Sequence, residues 1–272
     1  MSDLKELAFR YDLFVTPDWR DRFDTLVNEN VEIPAEGRVL DVNCGTGAHS
    51  IELAERLRGK GEVVGIDPSA ERIDLASAKA LAKKLDDVKF QQGTATALPV
   101  SDDEFDVAIG DASMLATGEI EHILTEMIRV TKPEGRVVLK VATRGSFDEF
   151  FSIYWEALLT AELVDEVWPK LDYLINERRT ISDVELIATK ARLRNVDSFT
   201  SNEIFIFETG EAVFTSPLIE DFFLEDWLAI VPESRRREVR DRIVSIIDND
   251  RHGAPFEVSI KTTVISGTKQ AG

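Results

Sequence analysis

The residues best suited to chemistry lie in one short stretch, Val39-Leu-Asp41-Val-Asn43-Cys-Gly45-Thr-Gly47-Ala48. Gly45 and Gly47 let a backbone approach a ligand closely. Asp67 ends the apolar run Val63-Val-Gly-Ile66, about 20 residues past the glycines, where a carboxylate can take both hydroxyls of an adenosine ribose. That spacing fits a nicotinamide dinucleotide equally well, and two features separate the readings. The G-x-G-x-x-G pattern needs glycine at position 50, where Ser50 stands. Asp41, beside the glycine turn, would repel a pyrophosphate but suits a ligand bearing ammonium and sulfonium charges. The plainer alternatives are an ordinary strand-to-helix turn and a loop-capping role for Asp41.

Other candidates are more dispersed. Asp111 follows the apolar run Phe105–Ile109 and either serves the chemistry or simply ends a strand. His49 and Tyr11 are further candidates for acid–base work, although His49 reads more readily as a partly exposed helix residue. His122 and His252 read as surface residues. A single cysteine, Cys44, and three scattered histidines leave no metal site to build, so no metal is expected. Gly59-Lys60-Gly61 lacks the spacing of a phosphate-binding loop. Arg235-Arg-Arg237, Arg240 and Arg242 are interleaved with Glu233, Glu238 and Asp241, as on a solvated helix face; an anchor for an anionic substrate is the rival reading.

The elements that must position these residues alternate. Strands are expected over 38–42, 62–66, 88–91, 105–109 and 136–142, with helices over 48–58, 70–85 and 119–130 and a turn at Lys132–Gly135. Such alternation implies parallel βαβ units in an α/β, doubly wound sheet, which binds ligands at its strand carboxyl ends. Beyond it, 147–179 is helical and aromatic, and Ser182-Asp-Val-Glu185 signals a helix reaching about Arg194. Strands are expected at 203–207 and 256–265, around a helical 216–249. The expected organisation is a single domain over 1–272. It has an N-terminal helical cover (1–36), a ligand-binding half (37–146), helical cap insertions (147–181 and 211–249), and a closing helix and strands (182–210 and 250–272).

The chain has 272 residues, 43% hydrophobic and 31% charged, which excludes a disordered or low-complexity protein. A formal net charge of -19 argues against a nucleic-acid partner. No apolar run approaches membrane-spanning length, and Met1–Glu6 has no apolar signal region; a cytoplasmic protein with a small-molecule partner is expected.

The segment from Tyr11 to Ala142 resembles the class I S-adenosylmethionine-dependent methyltransferases, of the small-molecule type related to quinone-biosynthesis methyltransferases. The resemblance rests on an ordered set: Asp41–Gly47, Gly65-Ile-Asp67-Pro68-Ser, Phe90–Pro99, Phe105-Asp106-Val and Arg129–Gly135. It implies a seven-stranded Rossmann-like sheet and methyl transfer by in-line displacement to a small apolar or aromatic acceptor. It also implies S-adenosyl-L-methionine as cofactor, held near Asp41, Asn43, Gly45, Gly47, Asp67, Pro68, Thr94, Ala95 and Asp111, with Tyr11-Asp12 in a covering element. Asn43 stands where the family usually has glycine, and tolerates a positive φ better than most residues. Thr94 replaces a frequent Asp, so its adenine contact must differ. The remaining rivals are a non-catalytic cofactor-binding or regulatory protein and a dinucleotide-dependent oxidoreductase.

Overall fold

The computed structural model describes residues 3–115, 117–250 and 254–271; His252 lies outside the described residues. At the N-terminus, α1 (Asp3–Arg10), a π-helix (Tyr11–Arg20) and α2 (Asp21–Asn30) follow one another without a break. Then come β1 (Gly37–Val42), α3 (Ala48–Leu57), β2 (Gly61–Asp67), α4 (Ala70–Lys83), β3 (Val88–Gln92), β4 (Phe105–Asp111), α5 (Ile120–Val130) and β5 (Thr131–Ala142). Next are α6 (Asp148–Thr160), α7 (Val164–Asn176), α8 (Ile181–Lys190) and β6 (Leu193–Phe207). The chain ends with α9 (Gly210–Thr215), α10 (Pro217–Phe222), α11 (Leu224–Ala229), α12 (Glu233–Asp250) and β7 (Phe256–Lys269).

Two compact units share these elements. The first comprises Met1–Val141, Thr180–Ser201 and Thr262–Gly272; the second comprises Ala142–Arg179 and Asn202–Lys261. The sheet has seven strands in the order β3-β2-β1-β4-β5-β7-β6. Strands β1 to β5 pair in parallel. β7 runs the other way: Arg136 meets Ser266 while Thr131 meets Lys269, and Thr200 and Ser201 meet Thr263 and Thr262. The sheet is therefore mixed and mostly parallel.

Period-two alternation sorts the strand residues of the first unit onto two faces. Leu40, Val64 and Ala108 pack with Ile123, Leu124 and Met127 of α5 and Val184 of α8. Val39, Val63, Val107 and Val138 pack with Leu26 and Val27 of α2 and Ile51 and Ala54 of α3. The order of strands reverses at β1, whose neighbours are β2 and β4, and this is where an open parallel sheet forms its ligand crevice.

Several boundaries depart from the sequence reading. The turn expected at Lys132–Gly135 is a bulge within β5: pairing passes from Phe105↔Thr131 to Val107↔Arg136, and Glu134 adopts φ 63. Pro133 has no N–H for the ladder, so the segment loops out rather than ending the strand. α8 begins earlier than expected, because Thr180 and Asp183 form the reciprocal capping box. It ends at Lys190, with Arg192 at φ 70 beyond it. β6 begins ten residues before the expected start at 203.

Candidate active site

Three carboxylates lie at or near the carboxyl ends of β1, β2 and β4, and all are buried: Asp41, Asp67 and Asp111. The glycine turn between β1 and α3 packs among them. Asn43 takes φ 57, Gly45 φ 60 and Gly47 φ 76, so the turn is left-handed at three positions and Asn43 fills its unusual place. Asn43 Nδ2 donates to the Asp111 carbonyl at 2.9 Å, tying β1 to β4 across the crevice. Asp67 accepts from the Gly45 N–H at 2.9 Å and the Ser69 N–H at 3.0 Å, with Arg72 at 3.8 Å. These amides use two of roughly four acceptor positions on the carboxylate, leaving capacity for hydroxyl donors. Asp41 Oδ2 accepts from Ser50 Oγ at 2.6 Å, whereas its Oδ1 is buried with no hydrogen-bond partner among the described residues.

Asp111 belongs to a buried charge network. Its Oδ1 accepts from the Ser113 hydroxyl at 2.6 Å, and Trp19 Nε1 donates to that hydroxyl at 2.8 Å. Its Oδ2 lies 3.4 Å from Arg20 Nη2 and 3.6 Å from Lys140 Nζ, close enough for ion pairing without an aligned hydrogen bond. Lys140 Nζ donates to Asp24 Oδ1 at 2.6 Å, and His49 Nδ1 is 3.4 Å from the same oxygen. Burial opposes ionisation of Asp24, but His49, Lys140 and Arg20 outweigh it and pull the carboxyl down to about 2. Burial works against charge on Asp111 also, yet Arg20 and Lys140 hold it below its usual range. Lys140 is held above its usual value, because Asp24 and Asp111 outweigh the cost of burial. An Asp111 so firmly anionic is a poor proton acceptor at neutral pH.

The N-terminal elements lie over the turn. Arg20 Nη1 donates to the Asn43 carbonyl at 2.7 Å and to the Tyr11 hydroxyl at 2.9 Å. A Cβ on Gly45 would fall 2.8 Å from the Tyr11 ring and 3.2 Å from Arg20 Nη1, so glycine is what lets this cover sit down. The Arg72 guanidinium stacks 4.0 Å from the Tyr11 ring centroid. Asp12 accepts from Thr46 Oγ1 at 2.5 Å and from Lys79 Nζ at 2.6 Å. Burial raises the Tyr11 phenol, against the pull of Arg20 and Arg72.

The structure thus brings Tyr11, Asp41, Asn43, Gly45, Gly47, Asp67 and Asp111 together. Pro68 is exposed at the margin, its carbonyl accepting from Gln92 Nε2 at 2.9 Å. Thr94 is exposed and Ala95 buried, on the loop after β3. His49 is not the partly exposed helix residue expected: it is 2% exposed, and neither ring nitrogen has a hydrogen-bond partner among the described residues. His122 is exposed. Sequence reasoning missed Arg20, Asp24 and Lys140. A signal for Lys140 existed: it is the lone charge in Val137-Val-Leu-Lys-Val-Ala142, and period two from Val138 turns it to the face that carries Asp41 and Asp111.

S-Adenosylmethionine, the cofactor implied by the resemblance, carries a sulfonium and an ammonium against one carboxylate. Setting His49 aside, the buried cluster holds three carboxylates, Asp24, Asp41 and Asp111, against two cations, Arg20 and Lys140. Its excess negative charge complements the cofactor's positive one, and Asp41 Oδ1 and Arg20 Nη2, neither of them hydrogen-bonded among the described residues, can receive an ammonium and a carboxylate. The residues present fit the group.

Residues 33–166 match the family model described as a methyltransferase domain. Among curated proteins, a demethylmenaquinone methyltransferase of Lactococcus lactis is 37% identical over 124 residues, 44% of this chain and 49% of that protein. The uncharacterized methyltransferase YcgJ of Bacillus subtilis is 33% identical over 114 residues, 42% of this chain and 44% of its own. The chain spans about half the length of the curated relatives it matches. The crystal structure of YcgJ superposes with a TM-score of 0.60 at 21% identity, covering 93% of this chain and all of that one. At that identity the likeness is one of fold.

Proposed function

We propose, from the match of residues 33–166 to a methyltransferase-domain family model, that this chain transfers a methyl group from S-adenosylmethionine to a small-molecule acceptor by in-line displacement. The observation that carries the reading is the excess of buried carboxylate around Asp41 and Asp111 beside the left-handed glycine turn. A dinucleotide would bring a pyrophosphate to that place, where Asp41 would repel it.

When bound, the cofactor supplies a methyl group already activated by its sulfonium. The chain's task is accordingly to hold and align, and alignment can supply on the order of 7–11 kcal/mol of a barrier. Asp67 is the residue to take the ribose hydroxyls, preset by the Gly45 and Ser69 amides. Asp41 and Arg20 would hold the amino-acid end. Asp111, kept anionic by Arg20 and Lys140, would provide fixed negative charge rather than accept a proton. Tyr11 and the π-helix would exclude water above the turn. His49, with two unbonded ring nitrogens beside Asp24, is the candidate to move a proton. We place acceptor choice in the helical insertions of the second unit and in the N-terminal cover.

The test is a titration with S-adenosylmethionine followed by a screen for adenosylhomocysteine release over pools of apolar and aromatic metabolites. Tight binding with turnover by at least one pool is expected. Absence of binding overturns the reading, and binding without turnover by any pool reduces it to a cofactor-binding protein.

A further inference from the structure

Asp67 is sealed although it ends β2 at the crevice. The residue is 1% exposed, and a buried anion is costly unless donors and a countercharge offset the lost water. The Gly45 and Ser69 amides supply two donors but no full charge. The full charge comes from Arg72, whose Nη1 stands 3.8 Å from Asp67 Oδ1. At that separation the two attract each other without forming a hydrogen bond. Arg72 therefore balances Asp67 while leaving the carboxylate's spare acceptor positions unspent.

Arg72 stands there against local preference. It lies in the first turn of α4, where the helix macrodipole disfavours a cation. The helix cap fixes its place: Ser69 Oγ accepts from the Arg72 N–H at 3.2 Å, and the Ser69 N–H donates to Asp67 at 3.0 Å. The Tyr11 ring then receives the guanidinium 4.0 Å from its centroid, in cation–π contact. Tyr11 is itself held, because Arg20 donates to its hydroxyl and its ring rests on the Cα face of Gly45. Asp67, Arg72 and Tyr11 thus form a stack across the carboxyl ends of β1 and β2. Of the three, Arg72 is the one that reaches solvent: its side chain is 20% exposed, against 2% for the Asp67 side chain and 2% for Tyr11.

We infer that Arg72 is a displaceable cap on Asp67: it covers the carboxylate in this conformation, and the ribose hydroxyls of an incoming cofactor expel its guanidinium outward to water. The exchange replaces an ion pair that has no hydrogen bond with charge-assisted hydrogen bonds, the stronger contact. The cap keeps Asp67 from standing as an uncompensated buried charge before the exchange. It also works against binding, since affinity is reduced by the fraction of molecules that are uncapped. The inference rests on the reading of Asp67 as the ribose ligand, and adds to it a residue that opposes the cofactor at that site.

The experiment pairs a calorimetric titration of the full chain and its Arg72→Ala variant with S-adenosylmethionine and an arginine-labelling measurement on the wild type. Removing the competitor should raise S-adenosylmethionine affinity at least about threefold. In the wild type, phenylglyoxal labelling mapped by mass spectrometry should show Arg72 reacting at least about threefold faster once the chain is saturated with S-adenosylmethionine. Arg20, 5% exposed, should stay slow throughout and serves as the internal control. A fall or no change in affinity for Arg72→Ala, or an Arg72 that becomes protected or keeps its rate on saturation, overturns the proposal and leaves the cofactor reading standing. Absence of S-adenosylmethionine binding to both chains overturns the cofactor reading, and the cap with it. The wild-type labelling decides alone should the variant fail to fold.

Discussion

Lys140 and Asp24 lie 116 residues apart in the chain and meet in a fully buried ion pair of 2.6 Å. The pair fastens α2 of the N-terminal cover to β5 in the middle of the sheet. It also sets the charge of the candidate site, because the same ammonium lies 3.6 Å from Asp111. Lys140 needs both carboxylates, since a lone buried ammonium would lose its proton.

Removing one partner should therefore cost much more than removing both. Lys140→Met leaves Asp24 buried without its ammonium partner, and should lower the unfolding free energy by about 3–5 kcal/mol. The double variant with Asp24→Leu should recover most of that loss, because an apolar pair no longer strands a charge. Denaturant unfolding of the single and double variants measures this. Equal losses in both would show that packing, not charge, dominates.

The same pair fixes the acid limb of stability. The Asp24 carboxyl titrates near 2 in the folded chain against its ordinary 3.8. A folded value below the unfolded one stabilises the protein above the unfolded value and ceases to do so as pH falls through the folded one. About 2 kcal/mol should accordingly be lost between roughly pH 4 and pH 2. Asp111, also depressed, adds loss of the same sign. Asp24→Asn should flatten that limb and leave the neutral-pH slope alone, as read by thermal melts across pH.

At the cofactor end, Asp67→Asn keeps one oxygen for the Gly45 or Ser69 amide but loses the charge that hydroxyl donors would meet. S-Adenosylmethionine affinity should fall at least about tenfold while the melting temperature shifts by only a few degrees. Unchanged affinity in a calorimetric titration would remove Asp67 from the site.

In the second unit, two aromatics of α6 should part ways. Phe151 is 3% exposed and packs edge-on to Trp227 at 5.5 Å, so Phe151→Ala should cost about 3–5 kcal/mol. Trp155 is 41% exposed, and Trp155→Ala should change stability by less than about 1 kcal/mol. Turnover lost in Trp155→Ala with stability intact would assign that ring to acceptor recognition; turnover retained would leave acceptor choice to the buried rings.

Much of this architecture was legible in the residues, for identifiable reasons. Asp41, Asp67 and Asp111 each end an apolar strand run, and runs of that kind fix both the strand and the place of its last residue. Asn43 was legible because a left-handed turn limits what can stand there. The ion network was not, since Arg20 and Asp24 sit on helices whose packing partners are set only when the sheet forms. His49 misled for the same reason: the second residue of a helix looks exposed until α2 is laid against it. The capping box shifted because Thr180 and Ser182 both offer a hydroxyl with an acid three residues on, and in the fold Thr180 pairs with Asp183 while Glu185 accepts from the Ser198 hydroxyl at 2.6 Å.

The last prediction concerns the cover itself. Tyr11–Arg20 is a ten-residue π-helix containing Pro17, a geometry that is rare and usually brief, so external contacts must hold it. On its inner side Val15 and Trp19 are fully buried, and Arg20 reaches Asn43. On its outer side Asp12 ties it to Thr46 of the glycine turn and to Lys79 of α4. The Asp12–Lys79 pair is partly exposed, at 22% and 30%, and such pairs add no more than about 1 kcal/mol to global stability. Asp12→Ala should therefore leave the unfolding midpoint nearly unchanged while lowering the cost of lifting the cover locally. Hydrogen exchange should show faster amides over 11–20 with β1 and β4 unaffected, and added S-adenosylmethionine should restore most of the protection. If protection over 11–20 is unaltered in the variant, the buried face of Val15 and Trp19 holds the cover without the Asp12 latch, and access to the crevice must be governed by Arg20 instead.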